Sequence, residues 1–525
     1  QGLCIPKLSR SGFSRPPADS ICVAAGRSDV AMLQPSAGDA REVLVDAAAA
    51  PGAGAGRRDG QSQALQVQAV PWSPIDTGCG AGEMAELAAF EAAKASHNLG
   101  RSRAIDGVLV LANTLLGGSG MLGIPHAFAS AGWLLGTLLL MMFGLLSAFG
   151  SHLLQCSARK IGHAPCSLYT AAEAVAPNWT WLIDGAVAIK CFGVATSYLL
   201  IVGDLAPPAL QHFGWEGIRR WQVVTMGFAV GGTLACLKNL SALRYTATGS
   251  IFIVLWTVVL MVLFFFRPGE LFEPCGQDPI PCEGAKFAPV GGASAVTLIK
   301  AFPVFIFGFT CQQNVFSVCN EVRNTTRRRM DLVIVTAYSL AFICFAGAAF
   351  FGYATYGDKV DSNVLKHYPQ NNVVHATRLL YCFVAIFSFP LQIHPARLSL
   401  LALVDFARGF RCCGASGPRL ENNSADSVAF VQGEAWSARR SGAAFVAATL
   451  ALLGFSFLIS LIVTDLGKIL GVVGATGSTT VSYILPGLVY SQAHPESSLE
   501  RKFALCQLAL GCVIMPVCLT LVFIR

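Results

Sequence analysis

Residues 112–128 read ANTLLGGSGMLGIPHAF, a segment at odds with itself. It lies in an apolar run long enough to cross a membrane, yet it carries Gly117, Gly118, Ser119, Gly120, Gly123 and Pro125. Glycine and proline are the residues least suited to a helix interior. One reading takes Gly118, Gly120 and Gly123 as a dinucleotide-binding loop, which requires a strand before it, a helix after it and an acidic residue about 20 positions on. Met141, Met142 and Phe143 stand near that position and the next carboxylate is Glu173, so that reading fails. A P-loop is excluded because no Gly-Lys-Ser/Thr follows. The other reading is a membrane helix that unwinds over Gly117 to Gly120, with glycines at positive φ, and restarts from Leu122. Unwound backbone at that depth is tolerated where it lines a cavity or is buried in protein. Its freed N–H groups suit a carboxylate and its freed carbonyls a cation. The rival explanation is close helix packing through small residues.

Composition favours a membrane. With 54% hydrophobic and 13% charged residues in 525, the chain is too poor in charge for a soluble surface. The net charge of +7 is spread between apolar blocks, which excludes a nucleic-acid footprint. Most of the 18 cysteines lie in apolar segments and read as small hydrophobes. Cys275 and Cys282 differ: they flank the polar loop GQDPIP, and both a disulfide and two free thiols remain open. The chain begins with Gln1, and residues 1–104 hold runs such as AAAAPGAGAGRRDG, expected to form a disordered cytoplasmic tail.

From residue 105 to 525, blocks of about 20 apolar residues recur, the length a bilayer demands. Eleven spans are expected, near 105–130, 132–156, 180–210, 221–237, 243–266, 293–319, 331–356, 373–401, 442–463, 466–490 and 503–524. With the N-terminus inside, the inner loops carry fifteen Lys and Arg and the outer loops between spans six, as the positive-inside rule requires. The C-terminus then lies outside. Four N-x-S/T sequons, at Asn178, Asn239, Asn324 and Asn422, fall on the cytoplasmic side and are expected to stay unglycosylated.

A second interrupted span strengthens the broken-helix reading. AFPVFIFGFTCQQNVF in the sixth block contains Pro303, Gly308 and the polar run Thr310 to Asn314. Spans one to five and six to ten then form two halves of opposite orientation, a LeuT-type 5+5 inverted repeat with broken first and sixth helices in an all-α integral membrane protein.

The first span, NTLLGGSGMLGIPHAF, resembles the N-x-x-x-G-x-G-h-L-x-h-P-x-A-F signature of the amino acid/auxin permease family. FGVATSYLLIVGDLAP, GYATYGD, SFPLQIHPAR and DLGKILGVVGATGSTTVSYILPGLVY resemble that family's third, seventh, eighth and tenth spans, and the likeness covers about 105–525. PLQIHPAR is most similar to the vacuolar and lysosomal branches, with the plasma membrane as the other location. The resemblance implies secondary active transport of amino acids, neutral ones foremost, coupled to Na+ or H+ and with no cofactor. Its implied substrate site comprises Gly118, Ser119, Gly120, Met121, Phe307 and Gly308, the first four offering backbone groups to the α-carboxylate. Its implied cation site comprises Asn113, Leu116 and Ser388, where sodium-coupled members use an asparagine and a hydroxyl. Asn113 alone reads equally as a helix-helix hydrogen bond.

Ionisable residues inside spans are functional candidates because their burial is costly. His394 is a candidate proton relay, while Arg397 is expected to snorkel. Asp204, Lys190 and Lys300 are candidates for gating or ion pairs, though spacing pairs none of them. The expected partners are an amino acid and the lipid bilayer, without nucleic acid; oligomeric state is not legible. An enzyme is the weakest class, since no metal-ligand cluster, nucleophile elbow or phosphate loop is found. A membrane amino acid sensor signalling through the tail is the principal alternative.

Overall fold

The computed structural model describes residues 81–96, 99–117, 119–162, 166–175, 177–236, 243–267, 269–275, 279–411 and 442–524. All belong to the compact unit Gly80–Arg525; the other unit, Gln1–Cys79, lies outside the described residues with most of the expected tail. In chain order the α-helices are α1 (Ala81–Ser96), α2 (Ala104–Leu116), α3 (Gly120–Ala131), α4 (Trp133–Ile161), α5 (Leu168–Val175), α6 (Thr180–His212), α7 (Arg220–Ala235) and α8 (Leu243–Phe266). They continue as α9 (Ala295–Gly308), α10 (Val315–Glu321), α11 (Arg327–Tyr356), α12 (Asn372–Arg411), α13 (Gly442–Ile462), α14 (Leu466–Val473), α15 (Leu485–Ala493) and α16 (Leu499–Phe523). Between α14 and α15 the backbone takes π-helical form at Gly474–Ser478 and Thr480–Ile484. Among the described residues there is no strand, only an isolated bridge between Ser102 and Val322.

Nine helical segments are long and apolar enough to span a bilayer, and ten if the bent pair α2 and α3 counts as one, among the described residues. The block expected at 221–237 is the difference. Helix α7 has 16 residues, short of the roughly 20 that a bilayer core asks.

Short polar residues set the helix boundaries. Ser294, Thr326, Asp465 and Ser498 precede α9, α11, α14 and α16 and accept from the backbone N–H of Thr297, Arg329, Gly467 and Arg501. Each such cap is worth about 1 kcal/mol. Asp465 thus separates α13 from α14, and Gly132 separates α3 from α4. Gly132 has φ 84°, a left-handed conformation open to glycine, and a Cβ there would lie 2.6 Å from the Gly291 nitrogen.

Burial ranks the spans by position. In the most apolar 18 residues of 466–493 and 177–212, 83% and 78% are buried, which puts these spans at the centre, whereas for 499–523 the share is 17%, at the periphery. Helices α6 and α12 share the most extensive contact of any pair. Cys275 and Cys282 are joined by a disulfide with Cα atoms 5.1 Å apart, which settles the choice left open by the sequence.

One correction falls before the first span. Ala81–Ser96, inside the segment read as disordered tail, is a helix with Leu87, Phe90 and Lys94 buried along one face. The Lys94 ammonium donates to the Val322 carbonyl at 2.6 Å and pairs with Glu91 at 2.9 Å. Glu91 in turn accepts from the Thr325 backbone N–H and hydroxyl, at 2.9 and 2.7 Å. Lys160, in the last turn of α4, pairs with Glu86 at 2.8 Å. Helix α1 is therefore fixed to the ends of α4 and α10.

Candidate functional site

Helices α2 and α3 meet at 57° across Gly117 to Ser119. Gly118 lies outside the described residues. The break is tighter than the sequence suggests: α3 restarts at Gly120 and not Leu122, and Gly117 has φ −71°. Gly120 is absent from the positive-φ glycines. Its reason is close approach, since a Cβ on Gly120 would lie 3.2 Å from both the Gly308 Cα and the Phe307 ring. Small residues bring the first break directly against the end of α9.

Helix α6 holds the first break with two consecutive residues. The Ser197 and Ser119 hydroxyls are 2.6 Å apart. Tyr198 donates its hydroxyl to the Gly117 carbonyl at 3.1 Å and also faces Ser388 on α12. Ser119 occupies the N-cap position of α3 but makes no side-chain cap there. The first-turn N–H groups of α3, which no helix can satisfy internally, thus receive no cap from the Ser119 side chain. They present the positive end of a helix at Gly120 and Met121.

The sixth break runs from Gly308 to Asn314. Helix α9 stops at Gly308, a short 3-10 turn covers Gln312–Asn314, and α10 begins at Val315. A buried polar network shapes the turn. Gln312 donates to the Ser147 hydroxyl at 2.7 Å and accepts from Ser482 at 2.9 Å. Ser147 donates to the Phe309 carbonyl at 2.7 Å. Asn314 reaches back to the Thr114 hydroxyl on α2 at 2.6 Å, so the two broken spans are linked on both sides of their crossing. The side-chain oxygen of Gln313 is buried without a partner.

The expected substrate residues therefore gather: Ser119, Gly120 and Met121 on one side, Phe307 and Gly308 on the other. The expected cation residues turn to separate partners. The Asn113 side-chain oxygen accepts from Ser250 on α8 at 2.8 Å, which is the helix-helix bond its rival reading described. Leu116 is fully buried at the end of α2, and Ser388 faces Tyr198. Arg397 does not snorkel: it is fully buried, 3.9 Å over the Phe445 ring, and donates to the Ala235 carbonyl at 3.3 Å. His394 lies one turn before it, half-buried. Asp204 pairs with Arg220 at 3.7 Å, and Lys300 donates to the Ile524 carbonyl at 2.7 Å. Sequence reasoning missed Tyr198, Ser197, Gln312 and Ser482 as holders of the breaks. Their only signal is polarity inside apolar blocks.

A family profile described as transmembrane amino acid transporter protein matches residues 100–524. Vacuolar amino acid transporter 5 of Schizosaccharomyces pombe is 30% identical over 440 residues, covering 81% of this chain and 95% of that protein. Vacuolar amino acid transporter 6 of Saccharomyces cerevisiae is 29% identical over 443 residues, covering 79% and 97%. Vacuolar amino acid transporter 5 of the same yeast is 30% identical over 407 residues, covering 73% and 87%. With the broken helix at its predicted place and a profile match over most of its length, the chain belongs to the transmembrane amino acid transporter protein family.

Proposed function

We propose that this chain is a secondary active transporter that carries neutral amino acids across a membrane by alternating access, driven by a Na+ or H+ gradient. The observation that carries the reading is the contact of the two broken spans at Gly120 and Gly308. There the first turn of α3, which the Ser119 side chain does not cap, faces the unwound turn after α9 and suits a substrate α-carboxylate. Gly118, Ser119, Gly120 and Met121 supply the backbone donors, and Phe307 and Gly308 form the opposite wall. Asn113, Leu116 and Ser388 are the set that a sodium ion would use. The eleven-span, inverted-repeat plan with a cytoplasmic N-terminus belongs to this reading, with α7 as the short fourth span. The names of the relatives favour a vacuolar membrane over the plasma membrane.

The test is uptake of a panel of radiolabelled amino acids into proteoliposomes, with sodium and pH gradients imposed separately. Accumulation of at least one neutral amino acid under one gradient is the expected result. Binding without flux would favour the sensor alternative.

A further inference from the structure

Lys190 stands on α6, one of the two most buried spans, and is only 5% exposed. Its ammonium donates to the Thr310 carbonyl at 3.3 Å. That carbonyl belongs to the stretch where the sixth span has left its helix. Three elements surround the lysine: α6 itself, the turn between α9 and α10, and the π-helical Gly474–Ser478. The last packs so closely that a Cβ on Gly477 would lie 2.9 Å from the Lys190 Cβ. The titratable groups facing it are the thiols of Cys191 on α6 and Cys311 in the turn, with Tyr338 of α11 behind Cys311 at 3.3 Å. None of these is a carboxylate.

A buried ammonium is costly in a membrane interior, and such residues mark ion and proton paths. Carbonyls freed by a helix break are the usual seat of a coupling cation in folds with discontinuous spans. Here the chain places its own cation against one. Lysine, unlike arginine, can give up its proton.

Resting on the transporter reading above, we propose that Lys190 carries the coupling proton. Charged, it donates to the Thr310 carbonyl and holds the sixth-span break against α6. The proton then passes from the nitrogen to water admitted from the compartment that the site faces, the carbonyl is released, and the break is free to reorient.

The experiment compares the parent with Lys190→Met, which keeps the stem without charge, and Lys190→Arg, which keeps the charge without release. Each is reconstituted in proteoliposomes and given radiolabelled alanine, glutamine and leucine under a pH gradient without sodium, and separately under a sodium gradient at equal pH. Exchange of labelled for unlabelled amino acid at equal pH is followed in parallel. Both variants are expected to lose about tenfold or more of pH-driven accumulation while retaining exchange, and Lys190→Arg is expected to flatten the pH profile of exchange. Should Lys190→Met aggregate in detergent, Lys190→Arg decides, because a merely structural cation would be served by arginine. Parent-level pH-driven accumulation by either well-folded variant overturns the proposal. A parent that accumulates on sodium alone also overturns it and leaves the transporter reading standing, whereas a parent that takes up none of the three under either gradient overturns both.

Discussion

Gly120 is the point of close approach between the two broken spans. Its hydrogen faces the Gly308 Cα and the Phe307 ring at distances where a Cβ would already crowd. Valine there would wedge the two broken spans apart and misdirect the first-turn N–H groups of α3. Leaving a carboxylate short of one donor costs roughly 1–3 kcal/mol, about a five-fold to hundred-fold loss of affinity. Gly120→Val is expected to show that loss in binding of purified, monodisperse protein, with insertion intact because valine is favourable in a membrane helix. Tyr198→Phe tests the other side of the same break. Without the hydroxyl, the Gly117 carbonyl loses a donor and Ser388 a neighbour, and half-saturation for uptake should rise several-fold, as a loss of about 1 kcal/mol implies. Ser388→Ala beside Ser388→Thr separates a cation ligand from a packing residue: sodium affinity should fall in the first and hold in the second.

Much of this site was legible. The glycines and the proline of 117–125, and the polar run at 310–314, announced two breaks because helix interiors reject them. What the sequence hid were the partners. Lys190 and Thr310 are 120 residues apart, and no periodicity relates a lysine in one apolar block to a carbonyl in another. The positive-φ argument for Gly120 also failed, since close packing and not backbone strain selects that glycine.

At the scale of elements, α1 is the clearest case of a signal overlooked. Leu87, Phe90 and Lys94 recur at helical spacing, but the flanking Ala and Gly runs made the segment look featureless. Removing residues 1–80 should leave uptake unchanged, whereas Lys94→Ala should free α1 and expose 81–96 to protease, because Glu91 would lose its buried partner. Burial alone would raise the Glu91 carboxyl, but the Thr325 N–H, the Lys94 ammonium and the Thr325 hydroxyl outweigh it and hold the group below its ordinary value. A lowered folded pKa contributes stability above the unfolded value of about 4.3 and loses it as pH falls through the folded one. The protection factor of 81–96, with the intrinsic pH dependence of amide exchange divided out, should therefore be flat from neutral pH to about 5 and fall only in stronger acid; a fall already near pH 6 would contradict the assignment.

For the whole molecule, the inner-loop excess of Lys and Arg predicts Arg327 and the C-terminus on opposite sides of the membrane. Labelling of single cysteines placed at 327 and 524 checks this, and both reacting from one side would sink the eleven-span plan. The same charge asymmetry predicts that the Cys275–Cys282 disulfide, between α8 and α9, faces the extracytoplasmic side.

Gly132 has a mechanical effect beyond its turn. Helices α3 and α4 are joined by that single residue, and consecutive Cα atoms are held about 3.8 Å apart, so α3 has no slack relative to α4. Helix α2, on the far side of the break, is held by side chains instead, Thr114 to Asn314 and Asn113 to Ser250, with Ser102 bridged to Val322 just before it. The two arms of the first span are thus anchored by different means, α3 through the chain to α4 and α2 through hydrogen bonds to α8 and the sixth-span turn. Glycines inserted at 132 are expected to uncouple α3 from α4 while leaving the hydrogen bonds of α2 in place.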